Sequence, residues 1–277
     1  MDQHPPHPTA AAGETTPASA GPSPRAQPVL WLALLLLAGL GWAITALQAG
    51  DMRSMTQMPE MGMAPAPAPV FLAVWISMMV AMMFPSVAPV ASLFTTMSRA
   101  RRRTGAPVAP TWALLAGYLA VWTLFGVGAY LLSLAVPAVG MRAPGLRAYS
   151  PVAAGVVLIA AGLYQWSPLK NLCLRHCRSP LAIIVHGWRD GYLGALRMGI
   201  VHGAYCVGCC WGFMVILFAV GLMNLGWMIL LTGLIFAEKV VPRGVLIGKA
   251  AGVVLVLLGV GALVAPLLGR LPGPHPV

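Results

Sequence analysis

The chain contains few charged residues, and acids are the scarcest of them. Only 6 of its 277 residues are Asp or Glu, against 17 Lys or Arg, and charged residues make up 8% of the total. A soluble domain carries roughly 25% charged residues. With 59% hydrophobic residues and a mean hydropathy of +0.82, the chain lacks the polar surface that a soluble globule requires.

The net charge of +11 reflects this scarcity of acids rather than a basic patch. The Lys and Arg residues lie in short connections between apolar runs, where such residues orient a membrane protein. A nucleic-acid interface would gather them on one face or along one helix. The sequence therefore predicts no nucleic-acid partner.

Familiar catalytic signatures are also missing. The sequence has no Walker A motif, no glycine-rich dinucleotide motif, no serine nucleophile elbow and no His-Glu-x-x-His zinc motif. We therefore assign no catalytic residue. The sequence favours a binding protein over an enzyme, and both alternatives stay open.

The chain is instead rich in long apolar runs. Runs of about 18 residues or more indicate transmembrane helices. The sequence predicts an all-α fold, a polytopic transmembrane helical bundle of about seven spans, or six if the first run is a cleaved signal peptide. The spans are expected at 29–49, 70–96, 111–136, 151–166, 199–223, 226–241 and 245–268.

Around these spans we expect five regions. Residues 1–28 are rich in Pro, Ala, Ser and Thr and are predicted to form a disordered cytoplasmic tail. The other regions are the first span at 29–49, a Met-rich outside loop at 50–69, a transmembrane metal-binding domain at 70–268 and an outside tail at 269–277. The Met-rich loop resembles copper-capture segments, although an unstructured loop that happens to contain Met is the alternative.

The distribution of basic residues predicts the orientation. With the N-terminus inside, thirteen Lys and Arg residues lie in inside segments and four in outside segments, as the positive-inside rule requires. Residues 181–198 mix apolar side chains with charged ones and are predicted to form an amphipathic helix on the cytoplasmic interface. We expect a multi-pass protein of a bacterial plasma membrane with a cytoplasmic N-terminus.

The fifth apolar run contains a cluster of metal-ligand residue types. His202, Cys206 and Cys209 are spaced at i, i+4 and i+7, which places them on one face of a helix, and Cys210 follows. Ionisable groups at membrane depth are costly and therefore suggest function. Thiolate with imidazole suits copper, zinc or iron. The alternative is that the thiols pack the bundle and His202 bonds a carbonyl.

The inside loop before this run holds the two remaining cysteines, Cys173 and Cys177, with His176 beside them. One cysteine pair is a weak site alone, because zinc sites usually show two pairs. The loop could complete a site with the fifth span, or its thiols could be unconnected. On a cytosolic face we expect them to stay reduced.

Met82 and Met83 in the second span, with Glu238 at the end of the sixth, are the remaining candidates. Thioethers favour Cu⁺, but Met is also a flexible gap-filler in helix bundles. Pro85 follows the Met residues and is predicted to kink the helix. For Glu238 three roles stay open: metal ligand, proton carrier, or ion-pair partner of the adjacent Lys239.

Several sequence blocks occur together in this chain, namely 81–86 (AMMFPS), 164–180 (YQWSPLKNLCLRHCRSP), 203–211 (GAYCVGCCW), 221–228 (GLMNLGWM) and 238–239 (EK). In combination they resemble an uncharacterised bacterial family described as predicted metal-binding integral membrane proteins, polytopic and rich in Cys and His. The resemblance covers roughly residues 70–262 and implies a metal site without naming the metal or the activity.

Taken together, the residues favour an integral membrane protein that binds copper or zinc, with iron as a further candidate, in metal transport or homeostasis. A thiol-redox or metal-dependent membrane oxidoreductase is one alternative, and a structural or assembly subunit is another. The expected partners are the lipid bilayer and a metal ion. A homo-oligomer or a membrane partner subunit stays open.

Overall fold

A computed structural model describes residues 26–56, 67–142, 150–220 and 224–268. Over these ranges the regular secondary structure is entirely helical, which confirms the all-α prediction. The helices are α1 (Ala26–Thr56), α2 (Ala68–Arg103), α3 (Thr111–Arg142), α4 (Ser150–Tyr164), α5 (Pro168–Arg178), α6 (Pro180–Gly187), α7 (Gly191–Val220), α8 (Leu225–Val240) and α9 (Gly244–Leu268).

Five of these helices are long and apolar enough to cross a membrane, namely α1, α2, α3, α7 and α9. A sixth span is formed if α4 and α5, which meet at a 60° bend, are counted as one. The predicted seventh span at 226–241 corresponds to α8, which has 16 residues. At 1.5 Å per residue, α8 is about 24 Å long and shorter than a bilayer core of about 30 Å. Seven spans are therefore not confirmed.

Three predicted regions fall wholly or partly outside the described residues. The tail assigned to 1–28 is described only from Ala26, where α1 begins. The Met-rich loop at 50–69 begins within α1, and residues 57–66 lie outside the described ranges, as do 269–277.

The segment predicted as an inside loop at 167–180 is helical instead. The Ser167 hydroxyl accepts a hydrogen bond from the Lys170 backbone N–H at 3.1 Å, and Pro168 occupies the first turn of α5. Both are strong helix-start signals. Lys170, Cys173 and Cys177 fall at three- and four-residue spacing on the buried face of α5. Both cysteines are therefore inside the bundle rather than on a loop.

The interfacial helix predicted at 181–198 is divided in two. α6 ends at Gly187, and α7 begins at Gly191, whose φ of +79° lies in the left-handed region. Between them the Asp190 carboxylate accepts hydrogen bonds from the Trp188 indole at 2.8 Å and from Arg101 of α2 at 2.7 Å. These two donors lower the pKa of Asp190. The junction is thus fixed to α2, and residues 191–198 extend the long helix α7.

α7 is the central helix, in contact with α3, α4, α5 and α8. Its approach to α3 is close because both helices present glycine at the crossing. A Cβ at Gly117 would overlap the Leu196 carbonyl oxygen, and one at Gly199 would overlap that of Leu114. Small residues of this kind let helix backbones come together in membrane bundles.

The outer surface of the bundle is apolar. Leucine side chains on α1, α3, α7 and α9 are more than half exposed. A soluble monomer rarely exposes contiguous apolar surface of this extent. The exposed residues include Leu36, Leu124, Leu193 and Leu257, and this exterior is consistent with a membrane protein.

Candidate copper site

Three thiols lie together in the middle of α7. The Sγ atoms of Cys206, Cys209 and Cys210 all lie within 4.8 Å of one another. Spacings of three and four residues place the three side chains on one face of the helix. Each side chain is at most 1% exposed, so the cluster is enclosed by the neighbouring helices.

The thiol groups make hydrogen bonds with their own helix. Cys209 Sγ donates to the Cys206 carbonyl oxygen at 3.1 Å, and Cys210 Sγ donates to the same oxygen at 2.9 Å. A metal ion bound through deprotonated sulfur would replace both of these bonds.

Cys206 Sγ has two partners from other helices. The Tyr118 hydroxyl of α3 lies 3.0 Å away. The Lys239 ammonium of α8 donates to the same sulfur at 3.0 Å and to the Ser86 hydroxyl of α2 at 3.1 Å. Helices α3, α7 and α8 therefore meet at this sulfur, and α2 is joined to them through Lys239. A positive charge lies where thiolate ligands would add negative charge.

The two thiols of α5, Cys173 and Cys177, lie next to this cluster. Cys177 Sγ lies 3.7 Å from Cys209 Sγ. Cys173 packs against Gly208, where a Cβ would lie 2.6 Å from the Cys173 sulfur. All five cysteines of the chain are free and buried, so the structure brings both predicted cysteine groups to one region.

The two predicted histidines have different surroundings. The His202 ring stacks on Tyr118 with centroids 5.7 Å apart, and its Nδ1 atom is buried without a hydrogen-bond partner in the described part of the chain. The His176 ring stacks on Tyr205 at 4.0 Å, with ring planes 9° apart. His202 Nδ1 is therefore an unused nitrogen one helical turn from Cys206, but it is not among the ligand atoms that lie within 4.8 Å of one another. His176 packs against Tyr205, the residue before Cys206.

Glu238 is in a buried ion pair with a residue of α5. Its carboxylate accepts from the Lys170 ammonium at 2.5 Å, and both side chains are only 2% exposed. Lys170 also donates to Gln165 Oε1. The adjacent Lys239 points to Cys206 instead, because consecutive helical residues project about 100° apart.

This donor set suits a soft metal ion, since thiolate ligands select Cu⁺, zinc or iron–sulfur clusters. A family model described as "PpoB2: Copper chaperone" matches residues 72–262. The chain belongs to this copper chaperone family. No curated protein and no solved structure matches the chain.

Membership in this family confirms that the chain belongs to a metal-binding family, as the resemblance of its sequence implied. It favours copper among the metals considered. The family and the three-thiol cluster together support copper binding. Zinc and iron, which the sequence left open, receive no separate support.

The predicted thioethers lie on α2, in the same buried core as the three thiols. Met82 and Met83 are buried, with exposed fractions of 1% and 0%. They precede Ser86 by four and three residues, which is about one helical turn. Pro85 does not end α2, which continues to Arg103.

Sequence reasoning did not single out Tyr118, which contacts Cys206, or Lys170, which pairs with Glu238. Tyr118 lies in a uniformly apolar run, and Lys170 lies in a segment that reads as a loop. One available signal was Gly117 beside Tyr118, because glycine marks a place where helices approach closely. The other was the Ser-Pro pair before Lys170, which marks a helix start.

Proposed function

We propose that this copper chaperone is an integral membrane protein that carries Cu⁺ on Cys206, Cys209 and Cys210. The observation that supports the proposal is the close approach of their three buried sulfur atoms. A metal–sulfur bond is about 2.3 Å long in zinc thiolates. Three sulfurs in a plane around one ion at this distance would lie about 4 Å from each other. The three sulfur atoms already lie within 4.8 Å of one another, so small χ1 rotations of the cysteines would bring them to this distance.

Lys239 offsets part of the negative charge at the cluster. Three thiolates and one Cu⁺ carry a net charge of −2, and the ammonium beside Cys206 offsets half of it. A divalent ion would be offset completely, so the proposal of Cu⁺ rests on the family and not on the charge balance. His202 Nδ1 is buried without a partner among the described residues, one helical turn from Cys206, but it is outside the group of ligand atoms that lie within 4.8 Å of one another, so the proposed ligand set is the three sulfurs.

We further propose a path for the cargo. Met82 and Met83 are placed to receive Cu⁺ through thioethers, one helical turn from the Ser86 that Lys239 contacts. Cys177 is placed to accept it from Cys209 across 3.7 Å. In this scheme copper moves by exchange of sulfur ligands from α2 through α7 to the short helix α5. The scheme gives the chain a role in copper transfer or homeostasis.

The same sulfur pair favours a second candidate function, thiol–disulfide redox chemistry. Cys177 and Cys209 are on different helices, free and adjacent. Closing them to a disulfide would transfer two electrons and two protons to the disulfide of an exchange partner, which would be reduced to two thiols. The bridge would also remove Cys209 from the copper set, so the two functions would exclude each other at any one moment.

For location we propose a bacterial plasma membrane, with the N-terminus in the cytoplasm. The support is the apolar exterior of the bundle together with the excess of Lys and Arg in alternate connections. Reporter fusions after residues 106 and 142 test the orientation, because one candidate span, α3, separates the two points and the first is predicted to lie in the cytoplasm.

The test of copper binding is metal content measured by elemental mass spectrometry on protein purified anaerobically in detergent and loaded with Cu⁺. We expect about one copper per chain in the wild type and loss of copper in Cys206→Ser/Cys209→Ser. The matched control is Cys173→Ser, which removes a buried thiol outside the three-sulfur cluster. Retained copper in the double variant would refute the site, and loss in the control would extend it to α5.

A further inference from the structure

A cavity of about 470 Å³ lies between α5 and α9, on the side of α5 away from the thiols. Three cations line it, Arg175, Arg178 and Lys249, together with the polar side chains of Asn171 and Ser179. The volume is within the usual range for small-ligand pockets, about 300–1,000 Å³.

Arg175 and Lys249 have no ion-pair partner among the side chains that the structure describes, whose ion pairs are Arg101–Asp190 and Lys170–Glu238. Arg178 lies near enough to the Glu238 carboxylate for the two charges to interact, but it forms no salt bridge with it. Its guanidinium donates instead to the carbonyl oxygens of Glu238 at 2.7 Å and Pro242 at 3.1 Å. These two bonds fix the guanidinium at the cavity and leave further N–H donors available.

The surroundings of the cavity are those of a membrane–water boundary. Leu169, Leu172 and Leu246 on the same two helices have exposed fractions of 58%, 54% and 61%. Lys249 is five residues into α9, about 8 Å from its start. A lysine at this depth keeps its ammonium at the interface while its stem contacts apolar surface. Charged lining next to exposed leucines matches a ligand with an anionic head and an apolar tail.

We propose that this cavity binds the phosphate of an anionic phospholipid, with the headgroup held by Arg175, Arg178 and Lys249 and the acyl chains along the exposed leucines. Basic pockets between membrane helices recognise such headgroups. The bound lipid would hold α5 against α8 and α9 and so keep Cys177 beside Cys209. This inference rests on the proposed membrane placement, but not on the identity of the metal.

The test is native mass spectrometry of the full chain in mild detergent, titrated with phosphatidylglycerol or phosphatidylcholine. We expect wild type to retain phosphatidylglycerol at least tenfold better than phosphatidylcholine. Arg175→Gln/Lys249→Gln should lose roughly tenfold or more, given two basic residues near the headgroup. The charge-retaining variant Arg175→Lys/Lys249→Arg should bind within about threefold of wild type, a margin of less than 1 kcal/mol.

The matched control is Arg189→Gln/Arg197→Gln, which removes the same charge from exposed positions outside the cavity. Equal loss in control and cavity variants would overturn the inference, as would equal binding of the two lipids. Displacement of the lipid by an equal concentration of inorganic phosphate would assign the cavity to a free anion and overturn the lipid as its source.

Two further readouts separate this inference from the proposed function. Extraction of the chain from membranes by alkaline carbonate would overturn the membrane placement and this inference together. Retention in the membrane without phosphatidylglycerol preference would overturn this inference alone. Copper content measured on the same samples reports on the thiol cluster independently.

Discussion

The ion pair between Lys170 and Glu238 gives the sharpest prediction for stability. Glu238→Gln removes the carboxylate charge and leaves the Lys170 ammonium buried, with 2% of its side chain exposed. Breaking a buried ion pair by removing one partner costs about 3–5 kcal/mol. Two neighbours reduce this cost: Gln165, which accepts from the ammonium, and the Phe213 ring, whose centroid lies 4.8 Å from it. We therefore expect a loss of about 2–4 kcal/mol.

The decisive result is non-additivity. Lys170→Met leaves the Glu238 carboxylate without its cation, and we expect a loss of similar size. The double variant Lys170→Met/Glu238→Gln contains neither charge and should be more stable than the sum of the single losses by about 2 kcal/mol. Double-mutant cycles isolate this pairwise energy when each single change removes the contact without adding a new one.

The assay is unfolding by SDS titration in mixed micelles, followed by tryptophan fluorescence, since the chain contains nine tryptophans. Additive losses would refute the reasoning, because they would mean that the two charges do not stabilise each other. A loss under about 1 kcal/mol for either single variant would show that the pair behaves as an exposed one.

Three further predictions concern packing, oxidation and pH. Gly208→Ala should destabilise the fold by about 1–3 kcal/mol in the same assay, because the new Cβ would lie 2.6 Å from Cys173 Sγ. Mild oxidation of copper-free protein should join Cys177 to Cys209, which are 3.7 Å apart, and non-reducing peptide mapping should show less of this bridge after Cu⁺ loading. The Asp190 pKa is lowered, so its stabilising effect is present above the unfolded pKa of about 3.9 and disappears as pH falls through the folded value. Fluorescence-monitored acid unfolding of Asp190→Asn should show a weaker pH dependence.

Controls and contrary outcomes follow from the same contacts. Gly233→Ala is the control for the packing variant, because a Cβ there meets nothing within 4 Å, and helix propensity predicts a neutral or slightly stabilising change. A bridge between Cys209 and Cys210 instead would contradict the oxidation prediction. An acid transition unchanged in Asp190→Asn would show that this carboxylate does not fix the junction between α6 and α7.

Much of the site's local geometry follows from the sequence. Cys206, Cys209 and Cys210 share a face because their spacing matches the helical repeat. Asn224 is the N-cap of helix α8, and its side chain accepts a hydrogen bond from the Trp227 N–H at 3.3 Å, as a helix-capping asparagine would. The errors occurred where polar and apolar residues mix, since the same pattern is consistent with a loop, an interfacial helix or the buried helix α5.

Residue spacing along the chain is enough to predict that this protein is helical, that it has long apolar helices and that one helix carries three thiols on one face. Each of these features depends on residues within a few turns of one another. Helix packing sets which distant groups meet the thiols: Tyr118 and Lys239 at Cys206, and Cys177 at Cys209. It also paired Glu238 with Lys170 rather than with its neighbour. These choices depend on helix rotation and on close packing at glycines, which residue spacing along one helix does not specify.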